Sequence, residues 1–186
     1  MNDLEVLYEN LVKEKNLDYD ESQHNALKVL NNLKTHILKS FSTKKIRTLF
    51  GKLIFLKHFQ QKSFFHNGIY LYGGVGTGKT MIMNLFFQNL NITEKQRVHF
   101  HEFMHDFHQK TKKIRTKKNK DPIKTICSEI AKDIKVLCFD EFQIVDITDA
   151  MIVGRLFDEL IKKKVTIITT SNFKPRELYG EGLNRE

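Results

Sequence analysis

The chain has 186 residues, 40% of them hydrophobic and 28% charged, enough for one domain with a real core and room for a small appendage. No apolar run approaches the ~20 residues of a membrane span, so no transmembrane segment is expected in it. The formal charge of +9 admits nucleic acid, acidic lipid head groups or an acidic protein as contacts. The N-terminus, MNDLEVLYEN, is acidic and polar and predicts no secretory signal. Cys127 and Cys138 stand in neither metal nor redox spacing, so both read as reduced thiols in a cytoplasmic setting.

Leu4, Leu7, Tyr8 and Leu11 recur at helical spacing, as do Leu27, Leu30, Leu33 and Ile37 after a cap at Asp20 with Gln23 three residues on. A third run, from Ile46 and Leu49 through Phe50, Leu53, Phe55 and Leu56 to Phe59, also reads as helical. The three predict an N-terminal helical segment over residues 1–62. From residue 63 onward the pattern changes. GIYLYGG is a short strand ending in glycines, MIMNLFFQNL a mostly buried helix, and RVHF a strand feeding a helix. KTKKIRTKKNK, from Lys110 to Lys120, reads as a solvated loop; no aromatics interleave with it, so a stacking platform for single strands is not indicated. Ile123 to Ala131 is a short helix behind Pro122. KVLCF is a strand stopped by acids. DITDAMIVGRLFDELIKK is a helix with Asp146 as cap and Asp149 in its first turn, and VTIITT is another buried strand. Strands of nearly continuous apolar character alternating with helices predict an α/β fold with a parallel sheet covered on both faces.

Gly73, Gly74, Val75, Gly76, Thr77, Gly78, Lys79 and Thr80 match G-x-x-x-x-G-K-[ST], placed after a strand and before a helix. Glycines let successive backbone N–H groups point at an anion, and the helix N-terminus adds favourable partial charge. In that role Lys79 reaches the β- and γ-phosphates of ATP and Thr80 offers its hydroxyl to Mg2+. Asp140 and Glu141 emerge from the C-terminal end of VLCF, where open α/β sheets bind ligands. Asp140 is expected to hold Mg2+ through water and Glu141 to orient and deprotonate the attacking water. Asn172, at the end of the strand with Thr169, Thr170 and Ser171, is placed to reach the γ-phosphate or its water. A nucleotide kinase fits less well, because Glu141 is set for water that a kinase must exclude.

His101-Glu102-Phe103-Met104-His105 is a complete H-E-x-x-H, the pattern of a zinc metalloprotease when it lies on one continuous helix. Here a strand runs into the segment, so His101 is expected to fall in the turn. Phe100, Phe103 and Phe107 are expected on the core face, with His101, His105 and His108 on another. Glu129 is the only distant third ligand suggested, with nothing around it in support. The zinc reading is therefore the weaker one.

Together, GIYLYGGVGTGKTMIMNLFF, RVHFHEFMHDFH, LCFDEFQIVDITDAMIVGRLFDEL, TSNFKPRELYGEGLNRE and the helical front resemble the ZapE, or Afg-like, family of AAA+ P-loop ATPases over nearly the whole chain. HFHEFM belongs to that family's signature; a histidine at position 105 is a departure from it. The resemblance implies an ATP-hydrolysing, Mg2+-dependent module that remodels protein partners, working as a homo-oligomeric ring. It also implies a cytoplasmic bacterial protein linked to cell division, with peripheral association at the inner membrane as a further option. Arg185, in GLNRE, falls where the family would place an arginine finger. The family continues past GLNRE into a fifth core strand and a helical lid, so a truncated core over residues 63–186 is expected. A nucleic-acid-linked AAA+ ATPase of the helicase-loader type is the alternative function.

Overall fold

Three short, largely apolar runs and one more polar run, KQRVH, pair into a parallel sheet. The computed structural model describes residues 3–15, 17–49, 68–115, 121–144 and 147–178, without the side chains of residues 42–49. The elements are α1 (Leu4–Lys15), α2 (Glu21–Leu49), β1 (Gly68–Tyr72), α3 (Lys79–Asn89), β2 (Lys95–His99), α4 (Phe100–Arg115), α5 (Pro122–Asp133), β3 (Val136–Asp140), α6 (Ile147–Lys162) and β4 (Thr166–Ser171). A 3-10 turn follows at Pro175–Glu177. The chain divides into two compact units. One comprises α1, α2 and Asn84–Ile92; the other holds the sheet, the start of α3 and the remaining helices.

In the first unit, Leu4 and Tyr8 on α1 and Leu27, Leu30, Leu33 and Ile37 on α2 are buried, the stripe that 3.6-residue periodicity predicts. Asp20 caps α2, its carboxylate accepting from the N–H groups of Ser22 at 2.7 Å and Gln23 at 3.2 Å. The Tyr8 hydroxyl accepts from the Asp20 N–H at 3.0 Å and ties the two helices at the cap. The third helical run does not begin a new helix: Ile46 and Leu49 continue α2. No glycine or proline lies between Glu21 and Leu49 to stop that helix. Phe50 through Phe59 lie outside the described residues.

In the second unit the strand order is β1-β4-β3-β2, with every pairing parallel. All four C-terminal ends therefore share one edge of the sheet. Val136 to Asp140 of β3 are buried throughout, as are Ile167 to Ser171 of β4. A core joins Leu137, Phe139 and Ile167 of the sheet to Phe100, Met104 and Phe107 of α4, Ile126 and Cys127 of α5, and Val153, Leu156 and Leu160 of α6. Asp121 starts α5 by accepting from the N–H groups of Ile123 and Lys124, with Pro122 at the first helical position. Both cysteines are buried and free.

Two sequence expectations are corrected. Lys110–Arg115 is not loop but the last turns of α4; Thr111 is buried there, extending the stripe of Phe100, Met104 and Phe107. His101 does not fall in a turn. β2 passes into α4 with no intervening residue, so His101 and His105 share one continuous helix. Phe100 anchors that junction, edge-on to Phe139 at 5.5 Å and to Phe142 at 4.5 Å between ring centroids. Asp146 and Thr116 to Lys120 lie outside the described residues.

Candidate active site

Strand register brings the sequence motifs to one edge. Tyr72 at the end of β1 pairs with Ser171 at the end of β4, and His99 at the end of β2 pairs with Asp140 at the end of β3. Because β4 lies between β1 and β3, Asn172 leaves the sheet between the glycine loop and the two acids. It is exposed, one residue past the end of β4.

The glycine loop closes back on itself. Gly73 N–H donates to Ser171 O at 3.2 Å, which fixes the loop's first residue to β4. Gly76 and Gly78 sit at φ 81° and 80°, in the left-handed region that a side chain would disfavour. Thr77 Oγ1 donates to Gly74 O at 2.9 Å. Lys79, first residue of α3, turns its ammonium into the loop, onto Gly73 O at 2.7 Å and Gly74 O at 2.6 Å. Partial burial lowers the pKa of that amine. A cation thus sits inside a loop whose N–H groups and helix terminus both favour an anion.

The acids are held from three sides. Arg97 of β2 grips Asp140 with two guanidinium N–H groups, Nε to Oδ2 at 2.5 Å and Nη2 to Oδ1 at 3.1 Å. The Thr170 hydroxyl lies 3.4 Å from Oδ1 and accepts from the Glu141 N–H at 3.2 Å. Phe142 N–H donates to Thr170 O at 2.7 Å, and Ser171 Oγ to Phe142 O at 2.6 Å, so the turn after β3 is stitched to β4. Glu141 takes φ 53°, unusual for a residue with a side chain. That turn lifts its carboxylate into solvent, 70% exposed, with His99 Nδ1 at 3.8 Å. Arg97 and His99 lie beside the two acids and were missed by the sequence reading, which named Thr170 only within the strand end that carries Asn172. The signal was present in the period-two spacing of Arg97 and His99 on a strand.

The sequence profile of the AFG1-like ATPase family matches residues 3–186. The chain belongs to that family. It is 46% identical over 127 residues to lactation elevated protein 1 homolog B of Danio rerio, covering 63% of this chain and 25% of the fish protein. It is 45% identical over 118 residues to the cell division protein ZapE of Escherichia coli K12, covering 63% of this chain and 31% of that protein. The chain thus spans about a quarter to a third of the length of these relatives. Among solved structures, AMPPCP-bound DnaA from Aquifex aeolicus superposes with a TM-score of 0.52 at 19% identity, over 89% of this chain and 43% of that one. That likeness bears on the fold, which is the P-loop AAA+ type.

In this AFG1-like chain the residues present fit nucleotide and a hard cation. The loop supplies two positive-φ glycines and an inward ammonium. Thr80, in the first turn of α3, and Asp140 supply the oxygen donors that Mg2+ prefers. The histidine motif lies elsewhere. On α4 the aromatic side is core, Phe100 and Phe107 buried and Phe103 packed against them, while His101, Glu102 and His105 are exposed. His108 Nε2 donates to Asp149 at 2.6 Å, and the Gln109 amide donates to His105 Nε2 at 2.7 Å. All three histidines line an open cavity of about 510 Å3 with Lys112, Gln143 and Asp149. Among the described residues no group of three His, Cys, Asp or Glu is arranged to hold a metal ion. Glu129 is exposed on α5. Arg185 lies outside the described residues.

Proposed function

We propose that this chain binds ATP in the Gly73–Thr80 loop and hydrolyses it. Lys79 and the loop N–H groups hold the phosphates, Glu141 activates the attacking water and Asn172 orients it. Thr80 directly and Asp140 through water would hold Mg2+, which supplies neutralisation of the phosphate charge. The observation that carries this reading is the inward Lys79 ammonium in a loop with two positive-φ glycines, on the sheet edge that also carries Asp140 and Glu141. We further propose the domain division at residue 62, with the ATPase core from residue 63. Hydrolysis is spent on protein partners, in a bacterium those of cell division, by a cytoplasmic homo-oligomer. Support for this last step is the 45% identity to a protein named for cell division.

Lys79→Ala tests the core of the reading. Removing a charge partner of a desolvated anion costs about 2–5 kcal/mol, so ATP affinity falls at least about 30-fold while circular dichroism stays unchanged. Unchanged affinity in the variant would remove the phosphate-loop assignment. The same variant tests Arg185 as an arginine finger, worth ~10³–10⁵ in turnover elsewhere. In a preparation with measurable turnover, Arg185→Ala and Lys79→Ala are each nearly inactive alone and recover partly when mixed. Normal turnover of Arg185→Ala alone rejects the finger.

A further inference from the structure

The carboxylate assigned to the metal is already paired. Arg97 reaches Asp140 diagonally: its register partner on β3 is Cys138, two residues before. From there its fork engages both carboxylate oxygens, at 2.5 and 3.1 Å. Both side chains are largely withdrawn from solvent, 19% and 12% exposed. A bidentate guanidinium pair of this kind is directional and strong, and arginine cannot shed its proton to release it. A divalent cation arriving alone at Asp140 therefore meets a compensated charge and a neighbouring cation. A cation arriving on the phosphates of a nucleotide brings its own anion and needs only the outward lone pairs of the carboxylate, which the fork leaves for a bridging water.

We infer that Arg97 is a positioning residue that keeps Asp140 from taking a free divalent cation, so that metal enters this site only with nucleotide. This rests on the reading of Asp140 as the metal-side acid. It adds the residue that enforces the joint entry of nucleotide and metal. The pairing also holds Asp140 rigid against β2, so the same contact that blocks free metal aims the carboxylate.

Manganese, whose free ion gives a paramagnetic resonance signal, is the probe, used on the whole nucleotide-free chain. The native chain leaves the signal of submillimolar Mn2+ undiminished. Arg97→Met keeps the bulk and removes the cation; it gains about one Mn2+ per chain. Its affinity is at least about tenfold higher, because a unit charge ~6 Å from a divalent ion in water already contributes that much repulsion. Asp140→Asn added to Arg97→Met abolishes the gained site. Arg97→Lys, a point charge without the fork, binds Mn2+ more tightly than native and less tightly than Arg97→Met, and it carries the test if the methionine variant does not fold. A folded Arg97→Met or Arg97→Lys that binds Mn2+ no better than native overturns the inference. So does native binding of Mn2+ without nucleotide, or a gained site that survives Asp140→Asn. ATP affinity measured on the same native protein separates the two levels: its absence removes the nucleotide reading, whereas the manganese comparison decides Arg97 alone.

Discussion

Gly73–Thr80 and His101–His105 are both complete motifs, and both follow directly from the C-terminal end of a strand of the same parallel sheet. Their surroundings differ. The loop's lysine turns inward, its glycines take the φ values that a phosphate cradle requires, and its neighbours across β4 are two acids. The histidines face outward from α4, and each of His105 and His108 is engaged by a neighbour, Gln109 and Asp149. What separates the motifs is convergence: a site needs groups from several strand ends aimed at one point. A single helix face carrying two ligands supplies only part of that.

Glu141→Gln presses hardest on the first half of the comparison. The amide keeps the shape and the φ 53° turn but loses the basicity. Turnover falls about 10²–10⁴-fold with ATP affinity retained, read by phosphate release and nucleotide titration. Turnover equal to the parent's would leave the strand-end acids without a catalytic part and level the two motifs.

Phe107→Ala presses on the other half, through the buried side of the histidine helix. Phe107 is 2% exposed, in the core with Met104 and Ile126. Truncating such a ring costs about 3–5 kcal/mol, seen as a lower denaturation midpoint. A loss under about 1 kcal/mol would mean that α4 is not anchored by its aromatic face, and the outward placement of the histidines would lose its cause.

The strand ends and the glycine loop were legible because their chemistry is local: four apolar residues and then acids, or glycines before Lys79. Three features were not, each for a physical reason. Thr111 occupies a core position on α4 with a polar side chain, so the apolar stripe ended too early in the sequence and Lys110–Arg115 read as loop. The polar stretch around Lys39 to Lys45 interrupts the stripe of α2 without breaking its backbone hydrogen bonds, so one helix read as two. The grip of Arg97 on Asp140 depends on β2 lying beside β3, and sequence order says nothing of strand order.

The smallest expected effect is that of His105→Ala. The side chain is exposed, and among the described residues it meets Gln109, one turn along the same helix, at 2.7 Å. Losing an exposed contact of that kind changes stability by about 0.5 kcal/mol or less. The change therefore isolates chemistry from folding, which Phe107→Ala cannot do. If the histidines held zinc, His101 and His105 would supply two ligands one turn apart, and a catalytic site would need a third protein ligand and an open position for water. His108 lies a further turn toward Asp149, to which it donates at 2.6 Å. Elemental analysis of the purified chain is expected to give well under one zinc per molecule, for the native protein and for His105→Ala alike, and ATP affinity is expected to be equal in the two. One zinc per chain in the native protein, lost in His105→Ala, would reverse the comparison: α4 would then carry a metal site completed by residues beyond those described.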